Sequence, residues 1–227
     1  MSVTWVEKFL TEVFKRGVIT LHSSSEYDSF NLVCDALARI RRNAPEVQFR
    51  HIVKLAEPSF DDNTFVPDRL QKKVDAYCRA LGCDRIDNVQ WMWRRDLDAD
   101  PSRVVAFRRA AATISESAKR LKDSGQIGRW FCFPYSLPFG GEAVLEAEFD
   151  GLVIYRNRTE RQFEPLLDEM VSRNKACFII RPFLGGELLA VGAATPRQQL
   201  DASLDHPAIE GAILSTSNLA HLDELLD

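Results

Sequence analysis

Leu81-Gly82-Cys83-Asp84-Arg85-Ile86-Asp87-Asn88-Val89-Gln90-Trp91-Met92-Trp93 links a helix to a strand and sets the rhythm of the chain. Upstream, Leu70, Val74 and Tyr77 recur at helical spacing, which predicts a helix over 67–81. Residues 86–93 read as a strand, and strand alternation turns Met92 away from both Trp91 and Trp93. Downstream lies a long helical stretch over 104–124, closed by Gly125. The same alternation extends in both directions. Toward the N-terminus, Trp5, Phe9, Val13 and Phe14 share one face of a first helix, with Gly17 as its stop. A strand over 18–21 then leads into a polar loop over 22–28, a helix over 30–42 and a strand over 47–55. Toward the C-terminus, strands are expected at 129–133, 152–155, 176–180 and 212–214. Helices are expected at 142–147, 160–173, 196–204 and from 218 onward. Short apolar strands alternating with amphipathic helices are the pattern of parallel β/α units. The expectation is one domain over 1–227, a TIM-like α/β barrel of about seven strands. Such barrels close with about eight strands, each preceding its helix, so a chain that opens on a helix lacks the first strand.

Composition narrows the function classes. The 227 residues carry 29 Lys and Arg against 33 Asp and Glu, a net charge of -4. That balance argues against a general nucleic-acid binder, which needs a basic face. The basic run Arg39-Ile40-Arg41-Arg42 sits where it complements the end of a helix dipole. No apolar run approaches membrane-spanning length, and Met1 to Lys8 shows no secretory pattern. The five cysteines are scattered without metal spacing, so reduced thiols, a cytoplasmic setting and no metal are expected.

Several segments, in order along the chain, resemble the aldo-keto reductases. Gly17-Val18-Ile19-Thr20-Leu21-His22-Ser23-Ser24-Ser25-Glu26-Tyr27-Asp28 is similar to the family segment that ends on the catalytic tyrosine. Leu81 to Gln90 resembles the strand written LG-x-D-Y-I-D-L-x-Q. Leu121 to Ile127 is similar to the helix end L-x-x-x-G-K-I, and Pro182 to Leu189 resembles P-L-A-G-G-x-L. His206-Pro207-Ala208-Ile209 and Ser217 to Leu222 resemble the last strand and helix. The resemblance implies hydride transfer from NADPH to a carbonyl, with a lysine-tuned tyrosine as proton donor. By position it places Tyr27 on the tyrosine and Lys54 on the lysine. His22 stands where the family has an aspartate, and Met92 where it has a histidine. Two of four catalytic positions are thus retained.

The cofactor positions depart further. Phe133-Pro134 replaces the Ser-Asn pair that holds the nicotinamide amide, and Val153 replaces a glutamine. No Lys or Arg occurs between Ser215 and His221, where NADP would need a basic grip, and Asn218 alone remains as a cofactor-binding candidate. NADPH or NADP is what the resemblance implies, yet the residues expected to hold it are mostly replaced.

A second pattern comes from the residues themselves. Arg94, Arg95, Arg156 and Arg181 fall at or just past the C-terminal ends of strands, where this fold builds its binding mouth. With Met92 and Trp93 they are candidates for binding a small anionic or sugar-like carbonyl ligand. Tyr27, Lys54 and His22 are the candidates for proton transfer. The rival expectation is a non-catalytic binding or assembly protein, a homo-oligomer or a subunit with a partner chain, because a missing strand leaves neighbouring edges unpaired.

Overall fold

The computed structural model describes residues 1–190, 192 and 194–226. Seven strands form one parallel sheet in sequence order: β1 (Thr20–Ser23), β2 (Arg50–Ala56), β3 (Ile86–Met92), β4 (Ile127–Phe133), β5 (Gly151–Tyr155), β6 (Ala176–Ile180) and β7 (Ile209–Ile213). The described helices are α1 (Val3–Lys15), α2 (Phe30–Asn43), α3 (Pro67–Leu81), α4 (Asp100–Asp123), α5 (Leu137–Leu145), α6 (Glu164–Ser172), α7 (Glu187–Ala190), α8 (Pro196–Leu204) and α9 (Leu219–Leu226). The result is a nearly closed, TIM-like β/α barrel that opens on a helix, as the sequence rhythm predicts. β1 and β7 are its two edges. Beside them, Arg16 at the end of α1 donates to Asp223 of α9 at 2.6 Å, which ties the two flanking helices together.

Strand alternation divides the buried side chains into two cores. Trp91, Trp93, Trp130, Cys132, Leu152 and Ile154 face the helices, whereas Met92, Phe131, Phe133 and Val153 fill the barrel interior. Trp91 centres the outer core, with the rings of Phe149, Trp130 and Phe107 5.5, 6.0 and 6.1 Å away. Its indole N–H donates to the Glu57 carbonyl at 2.8 Å, so this buried ring carries no unsatisfied donor. At the start of β5, a Cβ on Gly151 would lie 1.7 Å from the Ala176 carbonyl oxygen; only glycine lets β5 and β6 pair there.

Several elements depart from their expected bounds: β2 starts at Arg50 and not 47, β7 at Ile209 and not 212, α4 at Asp100 and not 104, and α6 at Glu164 and not 160. Two further shifts bear on the site. β1 begins at Thr20, not residue 18: Ile19 is exposed, and the pairing with β2 runs from Thr20 to Ser23. His22 is therefore a strand residue and not part of a loop. α5 begins at Leu137, upstream of the expected 142, because Ser136 caps it and Pro138 occupies the first turn, where its missing N–H costs nothing.

Candidate active site

The C-terminal strand ends converge on a polar mouth above the interior core. Val53 and Leu55 belong to the helix-facing core, so Lys54 on β2 turns inward; the same alternation turns Gln90 and Met92 inward on β3. Following β1, the turn 24–29 folds back over the mouth. It is held by Tyr27 N–H to Ser24 C=O at 3.1 Å and Phe30 N–H to Tyr27 C=O at 2.9 Å. Glu26 and Tyr27 are thereby brought above His22 and Lys54.

Two chains of polar contacts result. In the first, the Tyr27 hydroxyl lies 3.3 Å from His22 Nδ1, and His22 Nε2 lies 2.9 Å from Gln90 Oε1. An amide oxygen only accepts, so Nε2 carries the ring hydrogen and Nδ1 presents a lone pair to Tyr27. Burial lowers the His22 pKa and Lys54 adds to the effect, against the Gln90 hydrogen bond; the imidazole is neutral at pH 7. Burial, with the Glu26 and Tyr77 charges, raises the Tyr27 pKa, so its phenol keeps its proton. In the second chain, Glu26 bridges two cations. It accepts from Lys54 Nζ at 2.8 Å and from both Nη atoms of Arg94, one of them at 2.9 Å. Arg94 Nε donates in turn to the Tyr135 hydroxyl at 3.1 Å. The Lys54 ammonium also lies 5.5 Å from the centre of the Tyr27 ring.

Tyr135 completes the wall. It sits at φ 62°, a conformation bulky side chains rarely adopt. The turn is held from below by the buried Arg103, which donates to Pro134 C=O at 2.5 Å and Ser136 Oγ at 3.2 Å and stacks over Phe139 at 4.3 Å. Phe133 packs edge-on between the Tyr135 and Tyr155 rings, and the Arg181 guanidinium covers Tyr155 at 5.1 Å while pairing with Glu160 at 3.2 Å.

The structure thus brings Tyr27, Lys54, His22, Met92 and Arg94 into one site, with Arg181 at its far side. The other candidates stand elsewhere. Trp93 is buried against Phe107 and Phe139 in the helix-facing core. Arg156 is 3% exposed; it pairs with Glu164 at 2.7 Å and donates to the Ala202, Ser203 and Asp205 carbonyls, closing the end of α8. Arg95 pairs with Asp96 at 3.2 Å. Asn218 is exposed at the start of α9 and accepts from Ala220 N–H at 3.0 Å. Sequence reasoning missed Glu26 and Tyr135. Glu26 carried a signal, since a half-buried Lys54 needs a carboxylate and Glu26 directly precedes Tyr27. Tyr135 carried none beyond its place after Pro134.

No family model and no curated protein sequence matches the chain. Solved structures do. A Pseudomonas aeruginosa protein classed with the aldo-keto reductases is 18% identical over 100% of this chain and 82% of its own, with a TM-score of 0.74. An aldo-keto reductase from Bacillus halodurans in its holo form is 13% identical over 97% of this chain and 80% of its own, with a TM-score of 0.73. One from Klebsiella pneumoniae in complex with NADPH is 14% identical over 99% of this chain and 78% of its own, with a TM-score of 0.71. At such identities the likeness is one of backbone architecture, carried by the strand order and by the helices between the strands. The chain is built on the aldo-keto reductase fold.

Proposed function

We propose that the mouth binds a small carbonyl compound, anionic or sugar-like, and moves a proton on it through Tyr27 and His22 without a nicotinamide cofactor held in the family's way. The observation that carries this reading is the file Tyr27–His22–Gln90. Gln90 fixes the imidazole tautomer, and the neutral Nδ1 is ready to take the phenol proton. A substrate proton on the carbon next to the carbonyl passes to the Tyr27 oxygen as the phenol hydrogen passes to His22 Nδ1. The C–H bond breaks, its electron pair moves toward the carbonyl oxygen to give an enolate, His22 ends as the imidazolium, and no free phenolate forms. That concerted route suits a phenol whose pKa is raised. The Lys54 ammonium sits close enough to steady the negative charge that develops.

The cofactor does not fit the residues present. Phe133 and Val153 are buried in the interior core and offer no hydrogen bond to a nicotinamide amide. Between Ser215 and His221, where the family grips the adenosine phosphate, no Lys or Arg is present to receive it. Fluorescence titration with NADPH and NADH tests this point, and saturable binding at micromolar cofactor would overturn it.

A second reading rests on the open edges. β1 and β7 each have one neighbour in the sheet, and β7 is nowhere fully buried. On this reading the protein assembles with itself or with a partner chain that covers them. Light scattering that returns a clean monomer would remove self-association. Tyr27→Phe separates the two readings: a proton-transfer enzyme loses turnover, whereas an assembly protein keeps its partner.

A further inference from the structure

Lys54 and Arg94 have side chains 20% and 10% exposed, so both are cations largely withdrawn from water at the mouth. Withdrawn charges need partners. Glu26 is that partner, yet its own side chain is 43% exposed and stands on a turn, not on a strand or helix. Its two oxygens meet the two Nη atoms of Arg94 side by side, the paired geometry in which arginine receives a carboxylate. One of those oxygens also takes the Lys54 ammonium at 2.8 Å. Two cations against one carboxylate leave a single positive charge uncompensated a few ångströms from the Tyr27 ring.

We propose that Glu26 is a resident stand-in for a ligand carboxylate: the Lys54–Arg94 pair is a carboxylate-binding site that the protein's own side chain fills until a small keto or hydroxy acid displaces it. The inference rests on the proposed function for the location of the ligand, and it narrows the ligand class to small carboxylates. Displacement is easy on the Glu26 side, because an exposed carboxylate on a turn swings into water and regains its hydration. It is costly for the cations to remain bare, so the exchange favours a ligand that reproduces the same paired contacts. The residual positive charge sets the preference for an anion over its neutral analogue. Tyr135, fixed to Arg94 Nε by its hydroxyl, holds the guanidinium plane so that the fork keeps facing the mouth. The site therefore has a built-in competitor that keeps it shut to weak anions.

The test compares sodium pyruvate with methyl pyruvate, which lacks the charge, by titration calorimetry on the whole chain. Glu26→Gln and Glu26→Ala should both bind pyruvate about tenfold more tightly than the parent. Methyl pyruvate binding should stay unchanged, and Glu26→Gln combined with Arg94→Met should lose the gain. Circular dichroism confirms that each variant is folded, and the agreement of the two Glu26 replacements guards against a local rearrangement in either. Pyruvate binding that is no tighter in the Glu26 variants, or an equal gain for the methyl ester, overturns the proposal. Inorganic phosphate bound more tightly than pyruvate by Glu26→Gln overturns the assignment to carboxylates. A gain in pyruvate affinity without any proton exchange would leave this site standing and remove the catalytic reading of Tyr27.

Discussion

His51 offers a test of how the barrel is held at the end opposite the mouth. It lies on β2, is 2% exposed, and neither ring nitrogen has a hydrogen-bond partner. Its ring packs edge-on to Phe49 at 5.5 Å, and its backbone N–H donates to Asp87 at 2.8 Å. Burial first, then the Arg41 charge, lower its pKa from 6.5 to about 4, with Asp87 opposing. Below pH 6.5 the unfolded chain takes up a proton that the folded chain refuses. Stability therefore falls with pH through the window from 6.5 down to about 4, below which both states are protonated. A gap of about 2.5 pH units at ~1.4 kcal/mol each amounts to roughly 3 kcal/mol. That is a large share of the stability of a domain this size. His51→Leu fills nearly the same volume without a titrating group, and it removes no hydrogen bond because the ring makes none. Urea unfolding of both proteins at steps from pH 7.5 to 4 cancels the carboxylates, which titrate in each. The parent should lose about 3 kcal/mol relative to the variant across that window. Stability differences that stay within about 0.5 kcal/mol at every pH would refute the reasoning.

Two further outcomes bear on the site itself. Arg103→Met should cost about 1 kcal/mol in urea unfolding, since the guanidinium satisfies Pro134 C=O and Ser136 Oγ while its own Nε and Nη1 are buried without a partner; no loss, or a gain, would mean the turn bearing Tyr135 holds without it. Proton transfer needs neutral His22, whose pKa is lowered by burial, so the acid limb of the pH–rate profile should fall below pH 6.5; a limb centred above 6.5 would exclude His22 as the proton acceptor.

Much of the barrel is legible in the residues because strands and helices here have clean periodicities. The stretches 67–81, 176–180 and 196–204 form elements with the expected bounds. β1 is displaced because an edge strand is set by its pairing with β2 and not by its apolar content: Val18 and Ile19 look like strand but precede the ladder. α5 is hidden by Pro138, Gly140 and Gly141, which read as breakers although the proline lies in a first turn. The site is less legible, for a physical reason. Position along the chain brings Tyr27, Lys54 and His22 to strand ends, but charge pairing is decided by the folded turn. Arg94 and Arg156 look alike in sequence. One meets Glu26 at the mouth and the other meets the end of α8, whose carbonyls lie more than 40 residues further along the chain. Strand alternation correctly parts Met92 from Trp91 and Trp93, and by the same rule Trp93 faces away from the mouth.

The most direct measurement is deuterium uptake at the carbon next to the carbonyl in pyruvate and in dihydroxyacetone, followed by proton NMR in heavy water with no added cofactor. The parent chain should accelerate uptake, and Tyr27→Phe, which keeps the ring and removes the hydroxyl, should slow it by about a hundredfold or more. Equal rates in the two proteins, or uptake that appears only when NADPH is supplied, would contradict proton transfer through Tyr27 and His22.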